Sequence, residues 1–202
     1  MKKSLIGIAA AGAAVVALVA GCSGNDMAGM NHSSSPTAPA ATGSGQAAGN
    51  NADDVTFAQG MVPHHQQALD MAKLVPSRST NAKVLDLAKR IEGGQDPEIQ
   101  KMNAWLKAWG APTSMPGMDH GSMPGMSGMM SAEDMKMLEQ SKGAAFDKMW
   151  LDMMIKHHEG AVAMAKTELQ KGSNADAKKL AQDIIDAQQK EIAEMQDLLK
   201  AV

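Results

Sequence analysis

The sequence predicts an all-α fold: a four-helix bundle made of two repeated helical hairpins, with a long Met-rich connection and a disordered N-terminal tether. Three observations carry this. The first is composition. Among 202 residues there are 19 Met, 3 Trp, 2 Phe and no Tyr, while hydrophobic residues make up 44%. That supply can fill a core, yet it is poor in the residues on which sheets draw. The second is a self-match without a gap at an offset of 93 residues, with 20 of the 55 positions from 54 to 108 identical. His64-His65 falls on His157-His158, Met61 on Met154, Asp54 on Asp147, Gln95 on Gln188 and Glu98-Ile99 on Glu191-Ile192. Such a match marks a duplicated unit. The third is periodicity. Phe146, Trp150, Met153, His157, Ala161 and Met164 recur at helical spacing, and Phe57, Met61, His64, Ala68 and Met71 form the matching stripe. Residues three and four apart share one helix face.

The elements follow in order. Residues 1–21 read as a signal peptide, with Lys2 and Lys3 before an apolar run from Leu5 to Ala20. The run ends in Val19-Ala20-Gly21-Cys22, which resembles the bacterial lipobox and contains the only cysteine. That implies cleavage before Cys22, a thioether lipid on its sulfur and acylation (palmitate) of its amine. The expected location is the extracytoplasmic face of the cell membrane, since two or more acyl chains anchor stably. Residues 22–52 form the tether: after Cys22 there is no Leu, Ile, Val, Phe or Trp with which to build a core. A flexible chain of that length reaches about 30 Å.

Copy one spans 53–110. Its first helix has Asp53 or Asp54 as a candidate cap, and Pro63 is expected to kink it or mark its start. Its second helix runs from about Asn81 to Trp109, with Gly93, Gly94 and Pro97 as a weak point. The connection occupies 111–130. Copy two spans 131–202. Ser131 opens a short helix with a capping-box pattern that breaks near Gly143. The long helix carrying the second stripe stops at Gly172. Asn174 caps a last helix that buries Leu180, Ile184, Ile185, Ile192, Met195 and Leu199. Two such hairpins bury their stripes best against each other.

Net charge is −3, and Arg78 and Arg90 are the only arginines. That argues against nucleic acid as a partner, because phosphate neutralisation needs a basic surface. The single cysteine excludes a disulfide scaffold. Serine-nucleophile, phosphate-loop, Cys-x-x-Cys and His-Glu-x-x-His motifs are absent.

Two residue sets point to metal. In each His-His pair one ring points along the inner stripe and the other flanks it, because adjacent helix positions differ by about 100°. Met61 lies three residues before His64, Met154 three before His157, and Met153 adds a thioether four before His157. Imidazole suits copper, zinc and iron, and thioether selects Cu(I). The alternative is that these residues simply fill the core, as methionine commonly does. The second set is the connection, with Met115, Met118, His120, Met123, Met126, Met129 and Met130 amid Gly and Pro. Glycine and proline break regular elements, so these thioethers are expected to lack a packing role and to wrap Cu(I) or Ag(I). Glu159, Asp54 and Asp147 are the carboxylates near the histidines; Asp147 reads as a cap, a supporting partner for a histidine or a solvated charge, with the structural reading favoured. Glu-x-x-His, the mark of a di-iron bundle, does not occur.

Phe146-Asp147, Trp150, Met153-Met154-Ile155, His157-His158 and Ala161-Val162-Ala163-Met164-Ala165 resemble the core signature of the bacterial domain of unknown function family 305. Leu180-Ala181, Ile184-Ile185, Gln188, Glu191-Ile192 and Met195 fit its second half, and Met61 to Ala68 fit as well. The resemblance covers about 53–202. It implies a ferritin-like bundle and suggests copper, since the family includes secreted copper-binding proteins linked to copper tolerance. Copy one departs from the pattern at Gly93-Gly94 and Asp96-Pro97. The expected function is Cu(I) sequestration, buffering or transfer by a lipid-anchored envelope protein without catalysis. The alternatives are an interaction module docking through the Met-rich segment, and a metal-dependent oxidoreductase, which the missing inward Glu disfavours.

Overall fold

A computed structural model describes residues 49–113 and 127–202. Residues 1–48, including Cys22, and Met115, Met118, His120, Met123 and Met126 of the connection lie outside the described residues. The described chain forms α1 (Ala52–Arg78), α2 (Ala82–Ala108), α3 (Ala132–Gln140), α4 (Gly143–Lys171) and α5 (Ala175–Leu199). All-helical architecture is as the composition and the stripes predict. α1 pairs with α2 and α4 with α5, and the two hairpins join chiefly through α1 against α4. No helix among the described residues is long and apolar enough to cross a membrane.

Helix starts follow the expected chemistry, with one shift. Asn51 caps α1, accepting from the Asp53 and Asp54 amides, while Asp54 completes the capping box. Asn81, Ser131 and Asn174 cap α2, α3 and α5. The proposed breakers do not break their helices. α1 continues through Pro63, flanked by fully buried Met61, His64 and His65. Packing of these side chains outweighs the roughly 3 kcal/mol that an interior proline costs. α2 continues through Gly93, Gly94 and Pro97 because all three lie on its exposed face, while Ile91, Gln95 and Ile99 hold the inner face.

Asp54 does more than cap. Its Oδ1 accepts from the Ser173 and Asn174 amides at 3.0 and 2.9 Å, and its Oδ2 accepts from Ser173 Oγ at 3.0 Å. The start of α1 is thereby fastened to the α4–α5 turn. Glu168 is buried near it, with neither carboxylate oxygen hydrogen-bonded. Burial, then the neighbouring Asp54 carboxylate, push Glu168 up to about 8. Burial alone would raise Asp54, but the hydrogen bonds it accepts from Asn51, Asn174 and Ser173 hold it below its ordinary value. Of the two acids, Glu168 is the one that keeps its proton near neutral pH.

The core has two apolar clusters. One gathers Ala68, Met71, Val75, Leu87, Ile91, Phe146, Trp150 and Met154 with Leu138 of α3. The other gathers Phe57, Met61, Met102, Leu106, Ala161, Ala165, Leu180 and Ile184. Trp150 is fully buried and donates its indole N–H to the Met71 carbonyl at 3.0 Å, pinning α4 to α1.

The raised Glu168 value has a sign that can be tested. Its stabilising contribution is complete below about pH 4.5 and is lost as pH rises towards about 8. Glu168→Gln keeps the shape of the side chain and removes the titration. The expected result is that wild-type stability falls relative to this variant between pH 4.5 and 8, by up to about 1.4 kcal/mol per pH unit. Urea denaturation of both proteins across that range measures it, and parallel curves would contradict the raised Glu168 value.

Candidate metal centre

Between the two apolar clusters lies a polar layer. α1 and α4 cross where His64 meets His157, with ring centroids 3.8 Å apart and planes tilted by 40°. All four paired histidines are at most 1% exposed. Helical rotation sends the second ring of each pair elsewhere, towards its own hairpin partner. His65 Nε2 lies 2.7 Å from Glu98 Oε2, and His158 Nε2 lies 2.7 Å from Glu191 Oε2. The two contacts are copies of each other under the 93-residue offset. His64 Nε2 faces the Ser127 carbonyl at 3.2 Å.

These partners determine which nitrogens are free. In a neutral imidazole, the nitrogen facing an oxygen acceptor carries the hydrogen and the other bears a lone pair. For His64, held neutral by burial, Nδ1 is then a buried lone pair without a donor; Nδ1 of His65 and His158 and both nitrogens of His157 also have no hydrogen-bond partner. Each buried unsatisfied polar atom costs about 1–3 kcal/mol. A metal ion is the kind of ligand that meets imidazole lone pairs, and a carboxylate on the opposite nitrogen is the usual support for a metal-binding histidine. The donor set therefore fits a metal. Among the described residues no group of three or more His, Cys, Asp and Glu is placed to hold one. An ion here would depend on few ligands, imidazole with thioether, which favours Cu(I) or Ag(I) over harder ions.

The remaining predicted residues are placed as follows. Met61 and Met154 are fully buried in opposite apolar clusters, so they bracket the histidine layer from its two sides. Met153 is buried in the first cluster. Met129 is half-buried. Met130 packs against the first cluster, contrary to the expectation that the connection lacks a packing role. The reason is local: Gln67 holds the Met130 backbone by two hydrogen bonds, at 2.7 and 2.9 Å. Glu159 is exposed and Asp54 serves the turn. Asp147 is buried, with Oδ1 unpartnered.

Glu98 and Glu191 were not among the sequence candidates. Their signal was present, because they match each other in the repeat just as the histidine pairs do. Gln95 and Gln188, one turn earlier, are also buried and matched, with unpartnered amide atoms.

Burial, then the charges of the other imidazoles, act on the central pair. His64 is lowered to about 3, with the Ser127 carbonyl acting weakly the other way. His157 is lowered well below its ordinary value by burial and by His64, His158 and His65, against a small opposing effect of the His64 backbone. Both rings are therefore neutral at physiological pH, and an ion need displace no extra proton from them.

The family model for a domain of unknown function, DUF305, matches residues 54–199. Among solved structures, a DUF305 protein from Streptomyces coelicolor is 34% identical, with 74% of this chain and 93% of that chain covered and a TM-score of 0.68. CopM in its Cu(I)-bound form is 29% identical, with coverage of 73% and 96% and a TM-score of 0.61. CopM has also been solved with Cu(II) and with Ag. The uncharacterized protein L153 of Acanthamoeba polyphaga mimivirus is 43% identical over 54 residues, 27% of this chain, and the chain spans only 36% of that curated relative's length.

Protonation of the central pair can be followed directly. Because both folded values are depressed, the rings stay neutral as pH falls through 6.5, where an unfolded histidine takes up its proton. Ring-proton NMR of the metal-free protein should show no titration of His64 or His157 between pH 8 and 5. An ordinary midpoint near 6.5 for both would contradict a dry histidine layer.

Proposed function

The chain belongs to the DUF305 family, and on that footing we propose that it binds copper, chiefly as Cu(I), and sequesters, buffers or transfers it at the cell envelope. One observation carries this: four buried imidazoles, two of them held by glutamates, keep ring nitrogens that no protein group meets. CopM, bound to Cu(I), Cu(II) and Ag in its solved forms, is consistent with the same cargo here. His64 and His157 are the central ligands, with Met61 and Met154 as the nearest thioethers along each helix. His65, His158 and Met153 support them, and Met115, Met118, His120, Met123, Met126, Met129 and Met130 form a second soft set along the connection. Thioethers suit an oxidising compartment, because they bind without losing a proton and form no disulfides, although oxidants can convert them to sulfoxide.

In this reading Cys22 carries the lipid, and residues 23–52 hold the bundle off an extracytoplasmic membrane face. The copper is cargo rather than a resident cofactor.

Titration of the soluble 23–202 form with Cu(I) against a chromophoric chelator tests the metal role. The protein should compete for Cu(I), and a His64→Leu, His157→Leu double variant that stays helical should lose the bundle's share of the capacity. Replacing the connection methionines between 115 and 130 with Leu should remove a separate share. A parent that takes up no Cu(I) without competitor would overturn the proposal.

Fractionation of cells tests the anchor. Cys22→Ser should move the full-length protein from the membrane to the soluble fraction and remove the lipid mass from its N-terminal peptide. Unchanged membrane retention would refute lipidation at Cys22.

A further inference from the structure

The two histidines of the central pair are equivalent in the duplication but not in their surroundings. His64 is held at Nε2 by the Ser127 carbonyl, whereas His157 has no such partner. The asymmetry traces to one strand of chain, residues 127–130, which lies across the layer. On one side, Gln67 grips it: Met130 N–H donates to Gln67 Oε1 at 2.7 Å, and Gln67 Nε2 donates to the Met130 carbonyl at 2.9 Å. On the other side it lies backbone to backbone on α4. A Cβ at Gly160 would overlap the Ser127 carbonyl, and one at Gly128 would overlap the Lys156 carbonyl. Gly128 also has φ +89°, a conformation that L side chains rarely adopt.

Gln67 and Gly160 occupy the same position in the two copies, since they differ by the repeat offset of 93. One copy supplies the grip and the other the space. Gln67 is three residues after His64, so grip and ligand share one face of α1. Resting on the metal reading above, we propose that Gln67 is a positioning residue. Through Met130 it holds the Ser127 carbonyl on His64 Nε2, which presents His64 Nδ1 as a fixed ligand and leaves His157 as the ring that turns to meet an ion. The fixed ligand removes part of the entropy cost of ordering the site, and His157 has no hydrogen bond to break as it meets the ion.

The test uses the soluble 23–202 protein and three variants. Gln67→Ala removes the grip. Gln67→Glu keeps the acceptor for the Met130 amide but loses the donor. Gly160→Ala displaces the segment from the other side, and Ala is the better helix former, so α4 is not weakened. Two readouts apply. Nitrogen-15 NMR of the metal-free protein reports the His64 tautomer and the exchange protection of the Met130 amide. Competition with Ag(I), which is redox-silent, reports affinity.

The parent should show His64 protonated at Nε2 and a protected Met130 amide. Gln67→Ala and Gly160→Ala should lose both and bind Ag(I) about tenfold more weakly, the lower end of what a lost supporting contact costs. Gln67→Glu should fall between. Circular dichroism confirms that each variant retains its helices. Variants that keep the His64 tautomer, or lose it with unchanged Ag(I) affinity, would overturn the positioning role while leaving the metal reading intact. A parent that binds no Ag(I) would instead remove the metal reading itself, and the role of Gln67 with it.

Discussion

Four imidazoles stand between the two apolar clusters of the bundle, and most of the other features follow from accommodating them. Folded domains are stable by only about 5–15 kcal/mol in total. Buried polar atoms without partners each cost about 1–3 kcal/mol. Five unpartnered imidazole nitrogens in one layer are therefore a considerable burden on a chain of this size. The apolar clusters on either side supply the compensating burial. Glu98 and Glu191 reduce the burden by holding two of the rings at one nitrogen each. They also orient those rings, as carboxylates do behind metal-bound histidines. A core selected for stability alone would place Leu or Phe here. Retaining imidazole in a dry layer makes chemical sense when the lone pairs have a ligand to meet.

The duplication accounts for both the symmetry and its limits. Each copy brings one His-His pair, one supporting glutamate and one thioether, and antiparallel packing of α1 on α4 makes the first ring of each pair meet its equivalent. The described end of the connection gives His64 the Ser127 carbonyl, while His157 has no such partner. The same holds at the bundle end. Asp54 fastens the α4–α5 turn beside the buried Glu168, while its counterpart Asp147 retains an unpartnered oxygen. Position 168 corresponds to Val75, so the second copy alone has an acid to offer there.

Much of this was legible from the residues. The stripes Phe57 to Met71 and Phe146 to Met164 are helical, and the caps Asn81, Ser131 and Asn174 stand where side-chain chemistry puts them. Local rules failed where packing was stronger than propensity. Pro63 lies within a helix because buried neighbours on both sides hold it, and Gly93, Gly94 and Pro97 do no harm on a solvent-facing side. The histidines were visible as candidates, but their partners were not. Spacing along one helix says which face a residue occupies, not which residue faces it from the next helix.

The sequence by itself determined the repeat, the helical class and the pairing of imidazole with thioether, because periodicity and residue chemistry are local properties. Only the tertiary structure decided that His64 meets His157, that Glu98 and Glu191 stand behind the flanking rings, and that Ser127 reaches one copy and not the other. Those facts depend on contacts between residues 33, 63 and 93 positions apart. No side chain's own preferences encode such distances; they are set when two apolar faces close on each other and exclude water.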